Sequence, residues 1–298
     1  MKTIKNTSFD PFYNLALEEF LLKNNEITDD LFFLWRNKKC VVIGRNQNPF
    51  NEINIEYAKK HDIDIVRRST GGGTVYHDEG NINFTFITST ITDRLSNYEF
   101  FLEPIISILN TLGIQAEFSP KTHIFVGDHK ISGNAQVFYK NRMIHHGTLL
   151  FEVNSKHLQN VLTEKAKIDT YAIGSERSTV INIKDILSVD INITEFMDYI
   201  LEQMGFNRDD EIELSQEQQN QVQELAKSKY HKREWVYGQT PKFIIHKDEY
   251  NFVVTNGLIS KTSHYEELLI GQRFNKAIIS KLLAKHRDKD KIISILFK

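Results

Sequence analysis

The sequence predicts an α/β (α+β) fold with a large first domain and a small second one, on three observations. Short apolar runs with strict alternation, such as Ile82, Phe84 and Phe86, read as strands. Longer stretches with helical spacing and capping signals, such as 98–112, lie between them. The 298 residues exceed one ordinary domain, and the stretch from Trp235 through Gly238 to Pro241 reads as a hinge or linker. We therefore divide the chain into residues 1–238 and 239–298.

The totals narrow the function classes. Hydrophobic content of 40% and charged content of 26% are those of an ordinary soluble protein. A net charge of −2 argues against a general nucleic-acid binder, which carries a basic excess. The single cysteine, Cys40, excludes an internal disulfide framework and a zinc site built from several thiolates, and fits a reducing cytoplasm. Met1 to Lys5 lack the apolar core of a signal peptide. No run approaches the ~20 apolar residues that cross a bilayer. These features predict a cytoplasmic protein with neither membrane nor nucleic acid as partner.

The elements follow in order. Asp10-Pro11 starts a helix, with Asp as cap and Pro at the first helical position. Phe12, Leu15, Ala16, Glu19 and Leu22 then recur at helical spacing, Glu19 being the polar exception. Residues 31–35 and 40–43 read as strands, and 44–49 as a polar loop that is either a plain turn or a pocket wall. A short helix covers 54–61, and 64–67 leads into a glycine-rich stretch. Gly113 ends the helix over 98–112. Strands are expected over 114–118 and 123–126. A further strand begins at Lys130 and pairs with 143–151 through the turn at 140–142. Helices are expected over 155–162, 193–204 and 215–230, the last opened by a capping box of Ser215 and Gln218. Residues 166–178 read as a polar loop. Beyond the hinge come a strand over 242–246, a hairpin on Asn256-Gly257 and a helix over 275–286.

The chemistry concentrates at residues 67–86. Gly71, Gly72 and Gly73 carry no Cβ, so successive backbone N–H groups can form a concave anion site. Arg67 and Arg68 stand just upstream, and an arginine fork suits phosphate or carboxylate oxygens. This is neither a Walker P-loop nor a dinucleotide fingerprint, because no helix opens after the glycines. On these residues alone, a hairpin turn with solvated arginines fits as well. The stretch Lys130-Ile131-Ser132-Gly133-Asn134-Ala135-Gln136 is a strand of small and amide residues, which leaves room for a ligand. His145-His146 are neighbours on one strand and face opposite sides, so they suit a core or pocket wall better than one metal ion.

Together these motifs resemble the lipoate–protein ligase A family. The resemblance is carried by Cys40-Val41-Val42-Ile43-Gly44-Arg45-Asn46-Gln47-Asn48, by the run from Arg67 to Asp78, by Lys130 to Gln136 and by His145 to Leu150. The hinge stretch and the tail helix match as well, so the resemblance spans nearly the whole chain. It implies a biotinyl/lipoyl ligase-like catalytic domain of the class II synthetase kind, with a central mixed sheet, and a small α+β accessory domain. It also implies ATP-dependent activation of lipoate to lipoyl-AMP, with magnesium accompanying the ATP. The acyl group then passes to a lysine of a lipoyl carrier domain, either an E2 subunit or the glycine-cleavage H protein.

By the same resemblance Lys130 and Arg68 are the catalytic candidates, Arg67 being turned away by alternation. Contacts to ATP and lipoyl-AMP fall on Arg68, Gly71, Gly72, Gly73, Thr74, Val75, Tyr76, His77, Asn81, Lys130 and Asn134. For His77, a hydrogen bond within the strand ladder is the competing role. From pattern, the lipoyl tail lies against Val42, Val75, Phe84, Ala135 and His146. Metal ligands are unassigned; Asp78 and Asp128 are the nearest acids. The C-terminal unit is shorter than the family's usual accessory domain. The rival activity is acyl transfer between carriers without ATP, which needs a cysteine nucleophile. A biotin ligase and a non-catalytic binder are the others.

Overall fold

The computed structural model describes residues 1–89, 96–119, 122–162, 168–176 and 178–297. The chain opens with β1 (Thr3–Ile4) and α1 (Pro11–Lys23). Asp10 accepts the Phe12 N–H and Pro11 takes the first helical position, as the sequence predicts. The burial of α1 goes further than its spacing implies. Asn14, Glu18 and Glu19 are buried together with Leu15, Leu17 and Leu21, so the helix is enclosed nearly all round.

β2 (Leu31–Arg36) and β3 (Cys40–Ile43) follow, then α2 (Pro49–Glu52) and α3 (Ile55–Lys60), capped by Asn48 and Asn54. β4 (Asp64–Arg67), β5 (Val75–His77) and β6 (Asn81–Ser89) flank the glycines. Next come α4 (Tyr98–Thr111), β7 (Ala116–Ser119), β8 (His123–Val126), β9 (His129–Tyr139), β10 (Arg142–Leu150) and α5 (Ser155–Val161). The expected polar loop over 166–178 contains a two-residue strand, β11 (Asp169–Thr170); 163–167 and 177 lie outside the described residues. α6 (Ile193–Gln203), β12 (Glu211–Ile212) and α7 (Gln216–Leu225) follow. Ser215 and Gln218 form the capping box, but the helix expected over 215–230 widens into a π-turn at Ala226–Tyr230. The stretch read as a hinge is instead pinned. It includes α8 (Arg233–Val236), whose Val236 carbonyl accepts from Arg67 Nε, while Trp235 Nε1 donates to Arg67 O. The chain ends with β13 (Phe243–Lys247), β14 (Tyr250–Thr255), β15 (Leu258–Thr262), α9 (Glu266–Leu269), α10 (Lys276–Leu282) and α11 (Lys289–Phe297).

The largest sheet has six strands in the order β2-β6-β10-β9-β8-β7, and all its pairings are antiparallel. Mixed pairing is confined to the three-stranded sheet β4-β3-β5, where β3 runs parallel to β4 and antiparallel to β5. Phe32, Phe84 and Phe86 fill one face of the large sheet, packed together with Phe101 of α4 and Phe196 of α6. Leu31, Phe33, Trp35 and Ile144 meet α1 and α7 on the other. Fully burying one such ring contributes roughly 1.5–3 kcal/mol. Alternation decides which face each residue serves: Cys40 and Val42 join the α1 side, while Val41 and Ile43 pack toward α3 and α5.

The C-terminal elements have their own apolar core around Phe243, Phe252 and Phe274. Their hairpin turns at Asn256 and Gly257, with φ of 52° and 70°, as a two-residue turn with both φ positive requires. Phe50 of α2 reaches into this core, 4.8 Å from the Phe274 ring centroid. β11 extends the same sheet by pairing with β13. No described helix is long and apolar enough to cross a membrane.

Candidate active site

The glycine stretch between β4 and β5 is held from beneath. Gly72 has a φ of +84°, which only glycine adopts freely, and a Cβ there would lie 3.0 Å from Arg68 Nη2. Gly73 faces Ser175, and Gly71 faces open space. Gly44, at the end of β3, is tighter still, since a Cβ there would stand 2.1 Å from Gly72 O. The loop after β3 and the glycine loop therefore touch backbone to backbone.

Arg68 is buried and grips this loop. Its Nε donates to Thr70 Oγ1 at 2.8 Å, and its Nη2 donates to Gly71 O at 2.5 Å and Gly73 O at 2.8 Å. Burial pulls the guanidinium down to about 10, against the opposing pull of the Glu18 charge, so it stays cationic at neutral pH. Arg67 turns the other way, as alternation implies. It donates to the carbonyls of Gly44, Arg45, Gln47 and Val236 and braces the scaffold.

Lys130 stands beside the same loop. Its N–H donates to Thr179 O, and its Nζ lies 3.4 Å from His123 Nε2. Burial first, then the Arg68 charge, lower its pKa to about 8, with Glu176 opposing. Two cavities meet here, and Thr74, Val75, Lys130, Gly133 and Thr148 line both. The first, about 440 Å³, takes in Arg68, Gly72, Gly73 and Asn134 and has an apolar end at Leu15, Trp35 and Val42. The second, about 380 Å³, is bounded by Tyr76, Asn81, Leu158 and Val180, and the buried Asn81 Oδ1 has no protein partner. Across the mouth, Ser175 accepts the Thr74 N–H at 2.9 Å and donates to Glu52.

A buried hydrogen-bond chain joins the apolar end to the glycine loop. The Thr70 hydroxyl, which accepts from Arg68, donates to His146 Nε2 at 2.9 Å. His146 Nδ1 then donates to Glu18 at 2.8 Å. Glu18 also accepts from Thr85 Oγ1 at 2.7 Å, and Thr85 accepts from Trp35 Nε1 at 2.9 Å. Every donor in the chain is satisfied in one consistent direction.

Most of the expected site residues converge, with exceptions. Phe84 does not line the cavity. Asn83 lines it and Thr85 points toward α1, so strand alternation sends Phe84 to the other face, against Phe86 and the His145 ring. Gly71 lines neither cavity, and its role is to offer its carbonyl to Arg68. His77 lines only the first cavity, with the apolar residues. Asp78 is poorly placed for a metal: one oxygen accepts from Gly80 N and the other from Asn154 N. Asp128 is exposed on the turn between β8 and β9. Among the described residues no group of three or more His, Cys, Asp or Glu could hold a metal ion. His145 and His146 do face opposite sides, His145 stacking on Phe101 with 4.7 Å between ring centroids. Leu15, Trp35 and Glu18 were missed. A carboxylate within an otherwise apolar helix was the available signal, and it was read at Glu19 alone. Glu19 is paired with Lys23, Lys229 and Tyr230 away from the cavity.

The chain as a whole resembles known proteins in sequence and fold. The protein-family model described as the lipoyl protein ligase A/B catalytic domain matches residues 10–205. The chain is 40% identical over 252 residues to lipoate–protein ligase 1 of Staphylococcus aureus, covering 84% of this chain and 77% of that one. A solved lipoate–protein ligase A bound with ATP superposes with a TM-score of 0.66 at 26% identity, over 78% of this chain and 97% of that one. The bipartite lipoate protein ligase of Thermoplasma acidophilum, studied with its E2 lipoyl domain, gives 0.67 at 25% identity, over 83% of this chain and 98% of that one.

Proposed function

The chain belongs to the lipoyl protein ligase A/B catalytic family, and from that premise we propose that it ligates lipoate to a carrier-domain lysine in two steps driven by ATP. In the first step a lipoate carboxylate oxygen attacks the α-phosphorus of ATP, and pyrophosphate leaves with the bonding electron pair. In the second the carrier lysine attacks the acyl carbon of lipoyl-AMP, loses its proton, and AMP leaves. Magnesium enters as the counterion of the ATP phosphates. The reaction belongs in the cytoplasm, and the carriers are E2 lipoyl domains or the glycine-cleavage H protein.

One observation carries this reading: Lys130 borders both cavities at their junction. A cation there neutralises two anions that must otherwise repel, then polarises the mixed anhydride. Arg68 contributes charge and fixes the glycine loop, while the apolar end of the first cavity holds the acyl chain. The second cavity, with Tyr76 and Asn81, takes the nucleotide. The relative solved with ATP and the one studied with an E2 lipoyl domain support the two substrates.

Transfer between carriers without ATP is disfavoured by Cys40, the chain's only cysteine. Its thiol is fully buried in strand β3, and burial pushes its pKa well up, so it is no nucleophile. Pyrophosphate release with lipoate and ATP tests the proposal. Release in the wild type and its loss in Lys130→Ala supports ligation. Acyl exchange without pyrophosphate would overturn it.

A further inference from the structure

We propose that Gln47 is a positioning residue that clasps two walls of the chamber together while lipoyl-AMP waits between the two steps. The inference rests on the ligase reading and adds how the intermediate is kept from water.

The two walls are the glycine loop and the segment 168–176. Gly72, Gly73 and Thr74 line the first cavity together with residues 173–176. Ser175 and Glu176 line the second cavity as well. Gln47, in the loop between β3 and α2, lines neither cavity and is fully buried. Its amide joins the two walls. Oε1 accepts from the Gly44 N–H at 3.0 Å and from Thr74 Oγ1 at 2.7 Å. Nε2 donates to Ser175 Oγ at 3.0 Å and to Ile173 O at 3.3 Å. The orientation of the amide is fixed from both ends, because a backbone N–H needs an oxygen and a backbone carbonyl needs an N–H. Two accepted and two donated bonds use the amide fully.

Ser175 completes the clasp. Its hydroxyl accepts from Gln47 Nε2 and from the Thr74 N–H, and donates to Glu52. One donor and two acceptor sites are again all filled. A buried polar group that loses its partner is costly, so the clasp holds or fails as a unit.

Lipoyl-AMP is a mixed anhydride and reacts with water. Where the walls part, a water oxygen attacks the acyl carbon, AMP leaves with the bonding electron pair and the water proton passes to solvent. Lipoate is regenerated and one ATP has been consumed with no carrier acylated.

The test uses Gln47→Glu. The carboxylate keeps an acceptor toward Gly44 and Thr74 but has no donor for Ile173 and Ser175. Pyrophosphate is followed with ATP and lipoate, and no carrier. The wild type releases about one pyrophosphate per active chain and then stalls, because the intermediate stays bound. In Gln47→Glu the phase after the burst, divided by the burst amplitude, is about tenfold faster. Unfolded chains lower burst and later phase together, so lost stability alone leaves this ratio where it was. A wild type that never stalls, or an unchanged ratio in Gln47→Glu, overturns the proposal. Hydrogen exchange gives a second reading without turnover. Amides of 168–176 exchange about tenfold faster in Gln47→Glu, and unchanged exchange sinks the idea. If Gln47→Glu does not fold, Ser175→Ala, which removes the shared hydroxyl, is judged by the same two measurements. If the wild type releases no pyrophosphate, the ligase reading fails by itself, and hydrogen exchange still judges the clasp.

Discussion

Lys130 and Thr70 show how single side chains set the chemistry. If the Lys130 charge is what draws two anions together, Lys130→Ala lowers kcat/KM by roughly 10²–10³. The pH profile carries the same signature. A pKa of about 8 means the free enzyme loses the ammonium as pH rises through that value, so kcat/KM falls on the alkaline side. Bound anions favour the protonated form, so the matching limb in kcat lies at higher pH. Equal limbs in both parameters would assign the titration elsewhere. Thr70 is tested by contrast. Thr70→Val breaks the chain between Arg68 and His146, costs about 1–3 kcal/mol in stability and raises the KM for ATP. Thr70→Ser keeps the hydroxyl and both properties. Arg68, Lys130 and the glycines were legible because their residue types are unusual in sequence. Glu18 was not, since it sits on α1 while its partners come from β6 and β10, and only the fold assembles them.

The elements were legible where local signals are strong. The Asp10-Pro11 start, the Ser215 capping box and the Asn256-Gly257 turn all formed as read. The misplacement of Phe84 is a matter of register: alternation was recognised, but the face toward the ligand depends on which partner covers which side. The π-turn at Ala226–Tyr230 and the docking of α8 depend on long-range contacts that periodicity does not carry. The glycine loop offers a prediction at this scale. Gly72→Ala forces a residue with Cβ into positive φ at about 1–2 kcal/mol, and Gly44→Ala drives a methyl into the Gly72 carbonyl. Both lose lipoate-dependent pyrophosphate release out of proportion to their loss of melting temperature. Gly71→Ala meets no neighbour and folds as the wild type does. Equal thermal stability and equal activity across all three variants would show that the loop tolerates displacement.

Across the whole molecule, the C-terminal core is not a free appendage. Phe50 enters it from α2, and Arg233 donates to the Gly257 carbonyl. Phe50→Ala should cost about 3 kcal/mol, seen as a lower melting temperature and faster protease cleavage near residue 240. We place the domain boundary after residue 238, and a chain ending there tests it. Such a chain lacks Thr240, which accepts from Arg67, and the partner strand of β11. We expect it to fold with reduced stability and to show a raised KM for lipoate; full activity would make the tail dispensable. The pairing of Asp169 and Thr170 with Ile244 and Phe243 has a mechanical corollary. The segment that closes over the mouth is tethered to the far lobe by a ladder only two residues long. Any displacement of that core would therefore tug the rim of the chamber as well, because the two share one short ladder.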